Sequence, residues 1–273
     1  MTLEEAQPAP QGGRLLARVL SALVLLPIVL GALWAGYPYF TILIAACGVI
    51  MAIEWTGLVQ IPGWTAALHL VPAAMIFTLP YGLTIESALA VVAVLTGLPL
   101  AVGLIFGRRA LVWVGLGLVY VWLPLTLAAW MRDLEHGLVV ILWLLLVVWL
   151  TDIGGYFAGK GIGGPKLAPR LSPKKTWAGL FGGMALAALG GAIVSLALDF
   201  GQAVMMATLS AGLAVIEQIS DLLESGIKRR FGAKDSGHLI PGHGGLLDRV
   251  DGIVLVAASV GLAVLFNPQW GIA

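Results

Sequence analysis

Nine apolar stretches of about 20 residues follow one another through this 273-residue chain, and that succession leaves a lipid bilayer as its solvent. They run roughly over 15–34, 38–59, 64–83, 85–105, 110–130, 137–155, 177–198, 202–220 and 251–267. Each matches the length needed to cross about 30 Å of hydrocarbon as a helix. Charged residues make up 11% of the chain and hydrophobic ones 60%, with a mean hydropathy of +1.00. A water-exposed domain is about 25% charged, so there is too little polar surface here to coat a globule. No strand-like alternation runs through the apolar segments, which excludes a barrel. The expected fold is an all-α, polytopic membrane protein of about nine spans. Pro72 and Pro80 make 64–83 the least regular of them.

Residues 1–13 read as a short mobile tail, and 14–273 as a single transmembrane catalytic domain. Arg14 and Arg18 precede the first apolar run as in a signal peptide. The run is too long, however, and lacks a small-x-small site before Tyr37, so it reads as an uncleaved span. With the N-terminus inside, nine spans put 60–63, 106–109, 156–176 and 221–250 on the cytoplasmic side. That places 14 of the 15 basic residues on one face, Arg132 being the exception. The expectation is a multi-pass inner-membrane protein with cytoplasmic loops and its C-terminus on the opposite side. A net charge of +1 offers no general attraction for nucleic acid. Cys47, the single cysteine, reads as a small buried hydrophobe. Gly179, Gly183, Ala187 and Gly191 recur every four residues, a ladder that serves either helix packing within the chain or a homodimer seam.

Two loops carry the polar chemistry. The first, Asp152 to Trp177, holds Lys160, Lys166, Arg170, Lys174 and Lys175 among glycines and prolines. Such a loop suits phosphate, through close-approaching backbone N–H groups and ammonium charge, or else marks topology and greets anionic lipid. Gly159, Gly161 and Gly164 formally match a dinucleotide fingerprint, but a membrane helix end rather than a strand precedes them. In the second, a helix continuing past the eighth span puts Glu217, Asp221, Glu224 and Lys228 on one face. Asp248 and Asp251 stand at the mouth of the ninth. Carboxylates are the oxygen ligands Mg²⁺ takes, usually one or two together with phosphate and water. The alternative is a set of salt bridges to Lys228, Arg229, Lys234 and Arg249. His238 and His243 lack helical spacing and cysteine partners, which argues against zinc.

The run Ser225-Gly-Ile-Lys228-Arg229, Lys234-Asp235-Ser-Gly237 and Ile240-Pro241-Gly-His243-Gly244-Gly245-Leu-Leu-Asp248-Arg249-Val-Asp251 resembles the signature of the phosphatidate cytidylyltransferase family. The resemblance extends to Thr151-Asp152-Ile-Gly-Gly-Tyr156 and to Lys166 through Ser172-Pro-Lys174-Lys175-Thr-Trp177, and more weakly to Arg18 and Glu54-Trp55. Ala178 and Gly252 depart from residues common in relatives. The resemblance implies that CTP and phosphatidate give CDP-diacylglycerol and pyrophosphate with Mg²⁺, for which Mn²⁺ could substitute and beside which a second cation could sit. It implies Asp221 and Asp248 as metal ligands. Lys228, Arg229, Lys234, Asp235, Arg249, Asp251 and His243 would serve the reaction. Asp152, Lys166, Ser172, Lys174, Lys175, Glu224, Ser225, Gly244 and Gly245 would hold substrate. Two rivals remain. A CTP-dependent polyprenol kinase would transfer only the terminal phosphate; a transporter would place its charges near the midplane within internal repeats, which are not seen.

Overall fold

The computed structural model describes residues 11–199, 201–237, 239 and 244–267, with side chains in the first helix described from Leu23 onward. His243 therefore lies outside the described residues, as does most of the expected tail. Helix α1 spans Gln11–Ala35 and so begins three residues inside that tail. It is followed by α2 (Tyr39–Leu58), α3 (Leu70–Met75), α4 (Ile85–Ile105), α5 (Arg109–Arg132) and α6 (Gly137–Gly161). A hairpin, β1 (Lys166–Ala168) and β2 (Ser172–Thr176), precedes α7 (Trp177–Ala197), α8 (Ala203–Arg230) and α9 (Leu247–Phe266). Among the described residues, eight helical segments are long and apolar enough to cross a bilayer; α1 adds a ninth helix of 25 residues. The all-α polytopic expectation holds.

The irregular third span is a broken rod. Short α3 is flanked by 3₁₀ turns at Gly63–His69 and Ile76–Tyr81. Pro72 and Pro80 each remove a backbone donor, which disfavours one continuous ladder. A 3₁₀ turn rises about 2 Å per residue, so 19 residues still reach across the hydrocarbon. His69 anchors the rod: its buried Nδ1 accepts the indole N–H of Trp122 at 2.9 Å. Trp55 and Trp143, the other buried tryptophans, donate to the Trp113 carbonyl and to Ser210 Oγ, each at 3.0 Å. With no water in the core, such donors need partners within the protein.

The basic loop is a hairpin rather than an open cradle. Gly163 (φ +70°) and Gly164 (φ +91°) turn the chain out of α6, in a backbone region favourable only to glycine. Antiparallel pairing then sets Lys166 opposite Thr176 and Ala168 opposite Ser172. Thr176 caps α7, its Oγ1 accepting the Gly179 N–H at 3.0 Å. The hairpin is thus pinned to two helices.

The glycine ladder of α7 is consumed within the chain. A Cβ on Gly183 would lie 2.9 Å from the Thr151 carbonyl oxygen, and one on Gly179 3.0 Å from that of Gly155, both in α6. Gly191 faces α8 instead, where a Cβ would lie 2.6 Å from the Met206 carbonyl oxygen. The ladder is an internal three-helix seam, not a face left over for a second copy. Arg132, the one basic residue on the far side, also has a local reason. Its guanidinium donates to the carbonyls of Leu33 at 2.7 Å and Trp34 at 3.2 Å, closing the C-terminal turn of α1.

Gly183→Val should lower the unfolding temperature in detergent markedly, since overpacking costs about 1–3 kcal/mol or more against rigid backbone. Gly97→Ala in α4, where a Cβ meets nothing within 4 Å, should leave it unchanged or raised.

Candidate active site

At one end of the bundle, α8 runs on beyond its apolar part. Its 28 residues reach about 42 Å, some 12 Å more than the hydrocarbon needs. The predicted polar face forms there: Glu217, Glu224 and Lys228 are buried and Asp221 is half-buried. Lys228 is the hub. Its ammonium contacts Glu224 Oε1 at 3.1 Å and Asp248 Oδ1 at 2.8 Å, tying the last turns of α8 to the first turn of α9. Glu224 Oε2 accepts from the phenol of Tyr120 on α5 at 3.0 Å. The network is buried and each member has a partner, the condition under which such groups hold a unique arrangement rather than disrupt it.

Asp248 is the best-solvated carboxylate of the site, although no water does the solvating. Its Oδ2 accepts from the backbone N–H of Ser236 at 2.8 Å, from Ser236 Oγ at 3.0 Å and from the Gly245 N–H at 2.9 Å. The Gly245 contact is the reach-back half of a capping box at the start of α9. Gly244 (φ +86°) makes the turn, and a Cβ there would lie 2.8 Å from Asp248 Oδ2. The Gly245 amide is therefore directed at Asp248, where it shapes the loop.

The hairpin meets α8 at a second ion pair. Lys175, on β2, brings its ammonium against Asp221 Oδ2, while Ser225 Oγ donates to Asp221 Oδ1 at 3.2 Å. Asp152, Glu217, Asp221 and Asp251 lie close enough to act on one another, with Lys175, Lys228 and Arg249 as the nearby cations. Ser220 binds α8 to α9 here, donating to the Asp251 carbonyl and accepting the Leu255 N–H at 3.3 Å. Beside this cluster a half-open cavity of about 190 Å³ is lined by Asp152, Tyr156, Lys174, Lys175, Thr176 and Gln218, with Thr151, Gly155, Gly179 and Leu180.

These residues suit a divalent cation by charge and donor type. Six carboxylates (Asp152, Glu217, Asp221, Glu224, Asp248 and Asp251) stand against three basic side chains, an imbalance that is costly at a membrane boundary. Among the described residues no three acidic, histidine or cysteine side chains form a ready-made cage. Mg²⁺ does not need one, because it completes its shell with phosphate and water.

Other expected site residues make no ion pair or side-chain hydrogen bond within the cluster among the described residues. Lys166 and Lys174 are exposed on the hairpin, and half-buried Ser172 is engaged in its ladder. Arg229 is exposed and donates to the Ala233 carbonyl at 3.3 Å. Lys234, Asp235 and Arg249 are exposed, without a hydrogen bond or ion pair from their side chains among the described residues. Sequence reasoning overlooked Tyr120, which sits mid-span with no local signal, and Ser236. It also gave Glu54 no role, although a lone acid in an apolar span is a signal in itself.

The sequence model of a family described as the Cytidylyltransferase family matches residues 16–266. A Brucella suis protein named phosphatidate cytidylyltransferase is 41% identical over 252 residues, covering 88% of this chain and 90% of its own length. A Pseudomonas aeruginosa protein of the same name is 38% identical over 274 residues, covering 93% and 98% respectively.

Lys228→Met should be the most destabilising substitution in the cluster, by about 3–5 kcal/mol, because it strands two buried carboxylates. Tyr120→Phe removes one hydrogen bond to a charged group and should cost about 1.5–3 kcal/mol. Thermal unfolding in a single detergent orders the two.

Proposed function

The chain belongs to the cytidylyltransferase family, and from that membership we propose that it joins the cytidylyl group of CTP to phosphatidate, releasing pyrophosphate. The Brucella suis and Pseudomonas aeruginosa relatives carry the name of that activity. The observation that carries the reading in this chain is the pairing of the basic hairpin with the acidic face of α8 beside a cavity at the edge of the apolar bundle.

The nucleophile is the phosphomonoester of phosphatidate, whose second pKa is about 6, so it is mostly dianionic near neutrality. One of its oxygens attacks the α-phosphorus of CTP. The bond from that phosphorus to the bridging β-oxygen breaks, and pyrophosphate departs with the electron pair. No strong base is required. The barrier lies in bringing two polyanions together, so positioning and charge neutralisation dominate.

Lys174 and Lys175, with Asp152, line the cavity and would receive the phosphatidate headgroup. Tyr156, which lines it, and Phe157, Trp177 and Phe181 on the same two helices are exposed, as rings are at the headgroup level of a bilayer. A lipid could enter there sideways from the adjoining leaflet. Exposed Arg229, Lys234 and Arg249 would meet the triphosphate and the leaving pyrophosphate, each such clamp being worth a few kcal/mol of barrier, on the order of 3. Mg²⁺, when bound, supplies Lewis-acid neutralisation of the phosphate oxygens. Asp221 and Asp248 would hold it. Lys175 and Lys228 direct these carboxylates. The basic loops favour a cytoplasmic setting for this end of the bundle under the positive-inside rule, where CTP is available.

Purified protein given phosphatidate, Mg²⁺ and CTP labelled on the cytidine should place that label on lipid. Label reaching lipid only from the terminal phosphate would instead indicate a kinase and overturn the reading. Asp221→Asn and Asp248→Asn should each lower turnover by about 100-fold or more while the proteins remain membrane-inserted; near-normal rates in either would remove that residue from the metal set.

A further inference from the structure

Glu54 is a buried carboxylate on α2 that pairs with no lysine or arginine among the described residues. Its compensation comes from backbone. Oε1 accepts the N–H of Leu246 and Oε2 that of Leu247, both at 2.8 Å, and Ser236 Oγ donates to Oε2 at 3.4 Å. Leu246 and Leu247 open α9, whose first N–H groups have no partner within the helix and carry its positive dipole end. An acid from a helix 192 residues away in sequence thus caps the helix that bears Asp248.

The same two pieces of chain are held twice. Glu54 grips 236 and 246–247 from the α2 side, while Asp248 grips 236 and 245 from the α9 side. Two glycines admit the Glu54 side chain to this junction. A Cβ on Gly245 would lie 2.7 Å from Oε2, and one on Gly237 3.0 Å from Oε1. Ser236 touches both carboxylates, so moving one moves the other.

We propose that Glu54 is a positioning residue of the reaction: from α2 it fixes both described ends of the 236–247 segment and thereby sets the direction of Asp248 and of the Lys228 bridge. The proposal rests on the cytidylyltransferase reading above. Glu54 touches neither the cluster's metal-type ligands nor the cavity wall, and it acts through Ser236 and the start of α9.

The test is Glu54→Gln, which preserves shape but turns an amide N–H₂ toward one of the two α9 donors. Expected is a fall in kcat of about 100-fold, the scale of an ångström-level misplacement, with KM for CTP within about threefold of wild type. The unfolding temperature in detergent should stay within about 5 °C. Tryptic cleavage after Lys234 or Arg249 should quicken by about tenfold, relative to cleavage after Lys160, as local opening becomes easier. A kcat within about twofold of wild type would overturn the proposal. So would a loss of activity matched by global destabilisation and uniform cleavage at all sites, which would make Glu54 merely structural. Should the glutamine variant fail to insert, Ser236→Ala decides. It removes only the shared hydroxyl and should reproduce the kcat-specific loss and the selective cleavage to a smaller degree; wild-type values for both would overturn the proposal. Because cleavage and unfolding are read without CTP, absence of cytidylyl transfer in the wild type would count against the function and not against Glu54.

Discussion

Lys228 bridges the last turns of α8 and the first turn of α9, and the polar end of this protein depends on that bridge. Its single ammonium contacts Glu224 at 3.1 Å and Asp248 at 2.8 Å, where both carboxylates are buried. Burying charges is tolerable only when geometry and extra hydrogen bonds return what solvation gave. Tyr120 provides this for Glu224, and the Ser236 and Gly245 backbone for Asp248. The bridge therefore draws α5, α8, α9 and the intervening loop into one assembly, and α2 joins it through Glu54.

A second cluster stands beside the first, with Lys175 on Asp221 and with Asp152, Glu217 and Asp251 near by. The two differ in a way that matters for chemistry. The Lys228 cluster is saturated and suits the work of holding shape. The Lys175 cluster has more carboxylates than cations, faces a cavity, and is half-buried at Asp221. Substrate binding belongs where charge is uncompensated and access exists, and the two proposed cation ligands, Asp221 and Asp248, come one from each cluster. Rigid support sits one helical turn away on the same face of α8, since Asp221 and Glu224 are spaced i, i+3.

Packing in the apolar part serves the same end. The α6–α7 seam is close because glycines face carbonyls across it, and Thr176 caps α7 at the point where the hairpin enters. Lys175 is thereby carried on a short strand anchored at both ends, in place of a free loop. Helix association in lipid lacks the hydrophobic drive available in water, so such close backbone contact supplies the attraction that larger side chains would block.

Length and hydropathy alone determined the helical spans, because each is a local property of about 20 residues set against the bilayer thickness. Spacing on α8 likewise placed Glu217, Asp221, Glu224 and Lys228 on one face, and the motif from Ser225 to Asp251 gave the chemistry its direction. The prolines flagged an irregular third span, although not its 3₁₀–α–3₁₀ form. Tertiary structure decided the partners: Lys175 for Asp221, Tyr120 for Glu224, and Glu54 for the start of α9. It also turned the glycine ladder inward. These pairings join residues from 46 to 193 positions apart, and no periodicity of a single helix encodes which face of another will meet it. Only the packed bundle, which brings distant helices face to face, selects them.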